Sequence, residues 1–196
     1  MNNAHWVLLG LWIMYCFIHS WLAGIGVKNY IQKFTGNTFK FYRPVYSVFA
    51  LVTLGLILWY QFSIQSPWLI PVKFYLFIPG IIIALTGSFI MIICIYKYFY
   101  EVSGLLALQN PETKNTLQQS GLHQFVRHPL YLGTLLFIWG LFLIFPLLNN
   151  ILACVVITVY TLFGIRLEEK KLRLEFGESY NEYARKVPKL IPDFKW

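Results

Sequence analysis

Residues 129–165 read PLYLGTLLFIWGLFLIFPLLNNILACVVITVYTLFGI, a run without a single Asp, Glu, Lys or Arg. At about 1.5 Å per residue, one helix of that length would overshoot a hydrocarbon layer of about 30 Å. Pro146 and the Asn149-Asn150 pair supply a break inside it. The stretch therefore predicts a hairpin of two apolar helices, each roughly 15 residues long and short for a full span.

Working outward, three further apolar runs cover Ala4 to Ala23, Val45 to Ile64 and Phe74 to Tyr96, the last with Pro79-Gly80 placed to bend it near its start. The expected fold is all-α, an integral membrane bundle of about five transmembrane helices. Composition agrees: 58% of residues are apolar and 12% charged, where soluble domains carry about 25% charge. The 196 residues suit one domain, 1–196. It divides into three N-terminal helices in 1–96, a cytoplasmic loop over 97–128, the hairpin in 129–166, and a cytoplasmic helix and tail in 167–196. No cleavable signal peptide is expected, because the first run lacks a basic n-region and a small-residue cleavage site.

The net charge of +8 does not form one soluble patch. Lys28, Lys33, Lys40 and Arg43 fall between the first two runs, Lys97, Lys114 and Arg127 in the long polar stretch, and eight more from Arg166 onward. With the N-terminus outside, fifteen of the sixteen Lys and Arg lie on the inner side and only Lys73 outside. This predicts a multi-pass inner-membrane protein with a cytoplasmic C-terminus that contacts anionic lipids, and no nucleic-acid partner. Cys16, Cys94 and Cys154 occupy different apolar runs and read as buried thiols, with neither disulfide nor metal site expected.

No charged residue lies mid-span, which argues against an ion-coupled transporter. His19 is the one ionisable group inside a run, and it reads first as a hydrogen-bonded packing residue. Polar groups instead gather at the cytoplasmic boundary. In Gly121-Leu-His123-Gln-Phe-Val-Arg127-His128-Pro129-Leu-Tyr131-Leu-Gly133, Pro129 suits a first helical position and places His128 near the N-cap. Such a start attracts a carboxylate or phosphate. Equally, Arg127 and His128 could only anchor the helix to headgroups. Gly133 and Gly140 put two small residues on one face and predict a close helix approach.

Beyond the hairpin, Leu172, Phe176, Tyr180, Tyr183 and Val187 recur at spacings of three and four, which predicts one amphipathic helix over Glu168 to Val187. On that phase Glu168 points inward with the apolar face, toward a ligand or toward Arg127 or Arg166. Glu169 aligns with Arg173 as an ordinary surface pair.

The Arg127-His128-Pro129-Leu-Tyr131-Leu-Gly133 segment, followed after a hairpin by Glu168-Glu169, Phe176-Gly177, Tyr180, Tyr183 and Val187-Pro188, resembles the membrane methyltransferases that include isoprenylcysteine carboxyl methyltransferases and phospholipid methyltransferases. The N-terminal half is similar to the NnrU-type and methanethiol S-methyltransferase branch in Ile18-His19-Ser20, Tyr42-Arg43 with Tyr46, and Leu58-Trp59-Tyr60-Gln61. The resemblance implies that S-adenosylmethionine binds among His123, Arg127, His128, Tyr131, Glu168 and Glu169. The residues suit it: a helix start can hold its carboxylate, and the glutamates can accept from its ammonium or ribose.

No metal is required for an in-line methyl displacement, which chiefly needs positioning and exclusion of water. No strand, Gly-rich turn and helix of the soluble dinucleotide-binding kind is present. No Gly-x-Gly precedes the glutamates, so a small thiol ranks ahead of a lipid-like acceptor. The branch is also similar to a haem enzyme, for which His5, His19, His123 and His128 would be candidate ligands.

Overall fold

The computed structural model describes residues 2–71, 74–103 and 117–192. Lys73, Lys114, most of the long polar stretch and the end of the tail lie outside the described residues. Helices are α1 (Asn3–Ala23), α2 (Ile25–Thr35), α3 (Tyr42–Ser63), α4 (Phe74–Ser103), α5 (Pro129–Ile144), α6 (Leu148–Phe176) and α7 (Glu178–Lys186), with 3-10 turns at Gly36–Phe41 and Gly121–Gln124. Among the described residues the one extended pairing is an isolated bridge between Trp68 and Leu147. Four helical stretches, Asn3–Ala23, Thr38–Ser63, Phe74–Lys97 and Leu148–Phe176, are long and apolar enough to cross a membrane, and Pro129–Ile144 is a shorter fifth. The all-α membrane bundle is therefore what this sequence builds. Side chains such as Phe17, Trp59 and Phe62 are more than two-thirds exposed, a surface that lipid covers and water would not tolerate.

The residues cluster into two compact units, 1–67 with 98–113 and 68–97 with 114–196. In the first, α1 and α3 run antiparallel, joined by polar clasps along their length. Trp12 Nε1 donates to Gln61 Oε1 at 2.9 Å, and Tyr42 Oη donates to the Leu22 carbonyl at 2.6 Å. His19 Nδ1 lies 2.8 Å from the Tyr46 hydroxyl, which also reaches the His19 carbonyl at 3.0 Å. His19 is thus hydrogen-bonded, as its lone position suggested. The basic segment after α1 is itself folded, as α2 and a 3-10 turn.

In the second unit, α4 and α5 approach closely through glycine. A Cβ on Gly87 would fall 2.5 Å from the Phe137 backbone nitrogen, and one on Gly140 would fall 2.5 Å from that of Ala84. The close approach expected of Gly133 and Gly140 is present, with α4 as the partner. The hairpin turns where expected: α5 stops at Ile144, α6 starts at Leu148, and Asn150 Nδ2 donates to the Phe145 carbonyl at 2.8 Å.

Two expectations fail at the C-terminal side. The hairpin's second helix does not end near residue 166, and no single helix runs from Glu168 to Val187. Instead α6 continues unbroken through Phe176, and Gly177, at φ 55°, breaks the chain before α7. Glycine tolerates that conformation and other residues resist it. Because α6 is continuous, its rotation is set by the stripe Ala153, Thr161, Ile165 and Glu169, all buried. It is not set by the apolar pattern beyond residue 172.

Close packing yields a direct contrast. Gly140→Ala should lower the melting temperature in detergent by several degrees, as overpacking typically destabilises by about 1–3 kcal/mol. Gly55→Ala, with nothing within 4 Å of the new Cβ, should leave it unchanged or slightly higher.

Candidate functional site

The site is built where three chain segments of the second unit meet: the start of α5, the polar end of α6, and α7 with the residues after it. Arg127, 8% exposed, and Glu169, 4% exposed, form its centre. Arg127 Nε and Nη2 donate to Glu169 Oε1 at 3.0 and 2.5 Å. Arg127 Nη1 donates to the carbonyls of Ala184 and Val187 at 2.7 and 2.5 Å, capping the end of α7. The backbone follows: the Arg127 N–H donates to the Pro188 carbonyl at 2.8 Å and the His128 N–H to that of Lys189 at 3.1 Å. Lys189 Nζ sits 3.2 Å from Glu169 Oε2, and Tyr183 Oη donates to the His123 carbonyl at 2.7 Å.

The inward assignment of Glu168 and the surface assignment of Glu169 are therefore reversed. Glu169 is the buried carboxylate and pairs with Arg127, not Arg173. Glu168 lies one residue round the helix, with its side chain 43% exposed and its Oε2 3.8 Å from His128 Nδ1. Pro129 does occupy the first turn of α5 and His128 its N-cap, with no side chain capping the helix. The His128 ring stands 5.7 Å from that of Tyr131, and the Tyr131 hydroxyl faces Glu168. Gly164 lies beside that hydroxyl, where a Cβ would make ordinary contact with it at 3.9 Å.

So Arg127, His128, Tyr131, Glu168 and Glu169 are brought together, with His123 in electrostatic reach of His128. Arg127 faces Glu169 and α7, as a strut of the site. Sequence reasoning overlooked Lys189, which sat in an unremarkable tail, and Tyr180, taken only as part of an apolar face.

Two buried polar atoms here make no hydrogen bond among the described residues. His128 Nε2 lies 3.5 Å from Glu169 Oε1 without hydrogen-bond geometry, and the Tyr180 hydroxyl is wholly enclosed. Burial pushes the Tyr180 phenol up to about 12, with the Glu169 charge adding to it. Burial also lowers the His128 pKa below its usual 6.5, against the pull of Glu168 and Glu169, and lowers that of His123. Both imidazoles are held neutral at neutral pH. Orphaned buried donors and acceptors are costly, and a polar ligand is one way to satisfy them.

The sequence model of the family described as a protein of unknown function, DUF1295, matches residues 27–187. A methanethiol S-methyltransferase of Crocosphaera subtropica is 31% identical, covering 94% of this chain and 73% of the relative. One from Bradyrhizobium diazoefficiens is 28% identical over 97% of this chain and 68% of its own. The chain belongs to this family. A protein-S-isoprenylcysteine O-methyltransferase of Rattus norvegicus is 27% identical over 70% of this chain and 49% of the relative, which sets the family within the wider group of membrane methyltransferases. No solved structure matches. The methyltransferase thus carries, at one end of its hairpin, the residues that its sequence singles out.

Two predictions follow from this geometry. Arg127→Met should destabilise the methyltransferase by about 3–5 kcal/mol in denaturant titrations, because it strands a buried carboxylate. Arg185→Ala, which breaks the exposed Glu178 pair, should cost less than about 1 kcal/mol. For pH the sign is set by the lowered histidines. Their stabilising effect is complete above pH 6.5 and is lost as pH falls below it. Melting temperature should fall between pH 7 and 5, and His128→Gln should flatten part of that fall.

Proposed function

We propose that the chain acts as one membrane domain, residues 1–196, transferring the methyl group of S-adenosylmethionine to a small thiol at the cytoplasmic boundary. The observation that carries this reading is the convergence of His128, with its orphaned Nε2, the Tyr131 hydroxyl and the half-exposed Glu168 across the hairpin. The names of the Crocosphaera and Bradyrhizobium relatives favour a thiol as acceptor.

The residues fit such a donor. The uncapped α5 N-terminus and the His128 Nε2 suit a carboxylate. Glu168, unlike Glu169, is not held by a Lys or Arg among the described residues, so it remains able to accept from an ammonium or ribose hydroxyls. Arg127 holds Glu169 and α7 in place, and His123 and Tyr131 line the approach. When bound, S-adenosylmethionine would supply a methyl group on a positively charged sulfur. Neutral His128 and Tyr131 shield the position from water without adding positive charge, which would oppose a sulfonium. A thiolate is a strong nucleophile and needs little further activation. The Lys and Arg count favours an inner-membrane protein, N-terminus outside and C-terminus in the cytosol, so donor and site would share one compartment.

The test pairs binding with products. Calorimetric titration of the purified protein with S-adenosylhomocysteine should show His128→Ala and Glu168→Ala weakening binding about tenfold or more, the scale of one lost charge-assisted contact. Glu175→Ala should leave it unchanged. Headspace and extract assays should find methylated product from methanethiol or hydrogen sulfide in preference to a prenylcysteine analogue. Equal losses from all three variants would remove the site, and preference for the prenylcysteine would remove the thiol.

A further inference from the structure

On the far side of α6 from Glu168, a cleft of about 360 Å³ is lined by Arg166, Lys170, Arg173, Leu174 and Lys189, with Glu169 among them. At 3.6 residues per turn, spacings of four and three put Arg166, Lys170 and Arg173 on one face, and the chain after α7 brings Lys189 to meet them. Glu169, the one carboxylate, is already neutralised by Arg127 and Lys189. The Arg166 guanidinium lies 5.7 Å from the Phe163 ring, and none of Arg166, Lys170 or Arg173 is paired with a carboxylate among the described residues.

We propose that this cleft binds the headgroup of an anionic phospholipid. Depth and shape argue for a lipid over free phosphate. The apolar part of α6, Leu148 to Ile165, spans about 27 Å at 1.5 Å per residue, so Arg166 stands where hydrocarbon gives way to headgroups. Phe163 and Leu167, at that boundary and on the same side of α6, are both exposed. A soluble anion gains nothing from those side chains, whereas a lipid phosphate meets the cations while its glycerol and chains cover Phe163 and Leu167. A Lys or Arg near an anionic surface adds an appreciable increment of attraction, and three or more converging on one cleft make a preference beyond general surface charge. The site lies on the face opposite the proposed methyl-donor residues and does not rest on that reading.

Native mass spectrometry of the full-length protein, titrated with phosphatidylglycerol or phosphatidylcholine, tests this. Phosphatidylglycerol should bind at least about tenfold more tightly. The triple variant Arg166→Gln, Lys170→Gln, Arg173→Gln should abolish that preference, with Lys170→Gln alone giving a partial loss. The triple Lys33→Gln, Lys40→Gln, Arg43→Gln removes the same charge from the first unit and should retain the preference. All six side chains are exposed, so helicity by circular dichroism should be unchanged. Equal loss in both triples, or no preference in the wild type, would overturn the proposal. Displacement of the lipid by millimolar inorganic phosphate would overturn it in favour of a soluble anion.

Discussion

The pairing of Arg127 with Glu169 is the constraint on which the polar end of the hairpin turns. One guanidinium ties together the start of α5, the polar end of α6 and the last carbonyls of α7, while the adjacent backbone holds Pro188 and Lys189. Two charges buried this deeply stabilise only when geometry and additional hydrogen bonds are good, and here Arg127 uses both terminal nitrogens and Nε. Its consequence is rotational. With Glu169 fixed inward, α6 cannot turn, and Glu168 is presented to His128 and Tyr131 instead of to the bundle.

That arrangement divides labour between neighbouring carboxylates. Glu169 is held between Arg127 and Lys189, and Glu168 stays half exposed beside His128. Beside it, His128 is locked by its own backbone bond to the Lys189 carbonyl and kept neutral by burial. Pre-set polar groups at a site of this kind cost no reorganisation when a charged ligand arrives. The tail after α7 belongs to the same assembly, because it closes over Arg127 and carries a cation to Glu169. It also contributes to the cationic cleft on the opposite face of α6, so a single short segment borders both.

Much of the fold was legible because membrane spans are long, apolar and free of charge, and because Pro146 and Asn149-Asn150 mark the turn. The glycine contact was legible as Gly133 and Gly140, but their partners Gly87 and Ala84 on α4 were not, since spacing within one helix says nothing about its neighbour. The candidate residues were legible as a set, and the assignment of the two glutamates was not. The apolar rhythm beyond Leu172 suggested one phase, yet the phase that wins is inherited from the hairpin, because a helix cannot rotate midway without a break. That break comes at Gly177, eight residues too late to free Glu169. Lys189 and Tyr180 carried no local signal, as their roles exist only once α7 folds back on α5.

Hydrogen–deuterium exchange in detergent, with and without S-adenosylhomocysteine, tests the central claim most directly. Binding should slow exchange in segments 123–133 and 164–171 and leave α1 and α3 unchanged. Protection confined to α1 and α3, or no protection anywhere at saturating ligand, would contradict a methyl-donor site at the polar end of the hairpin.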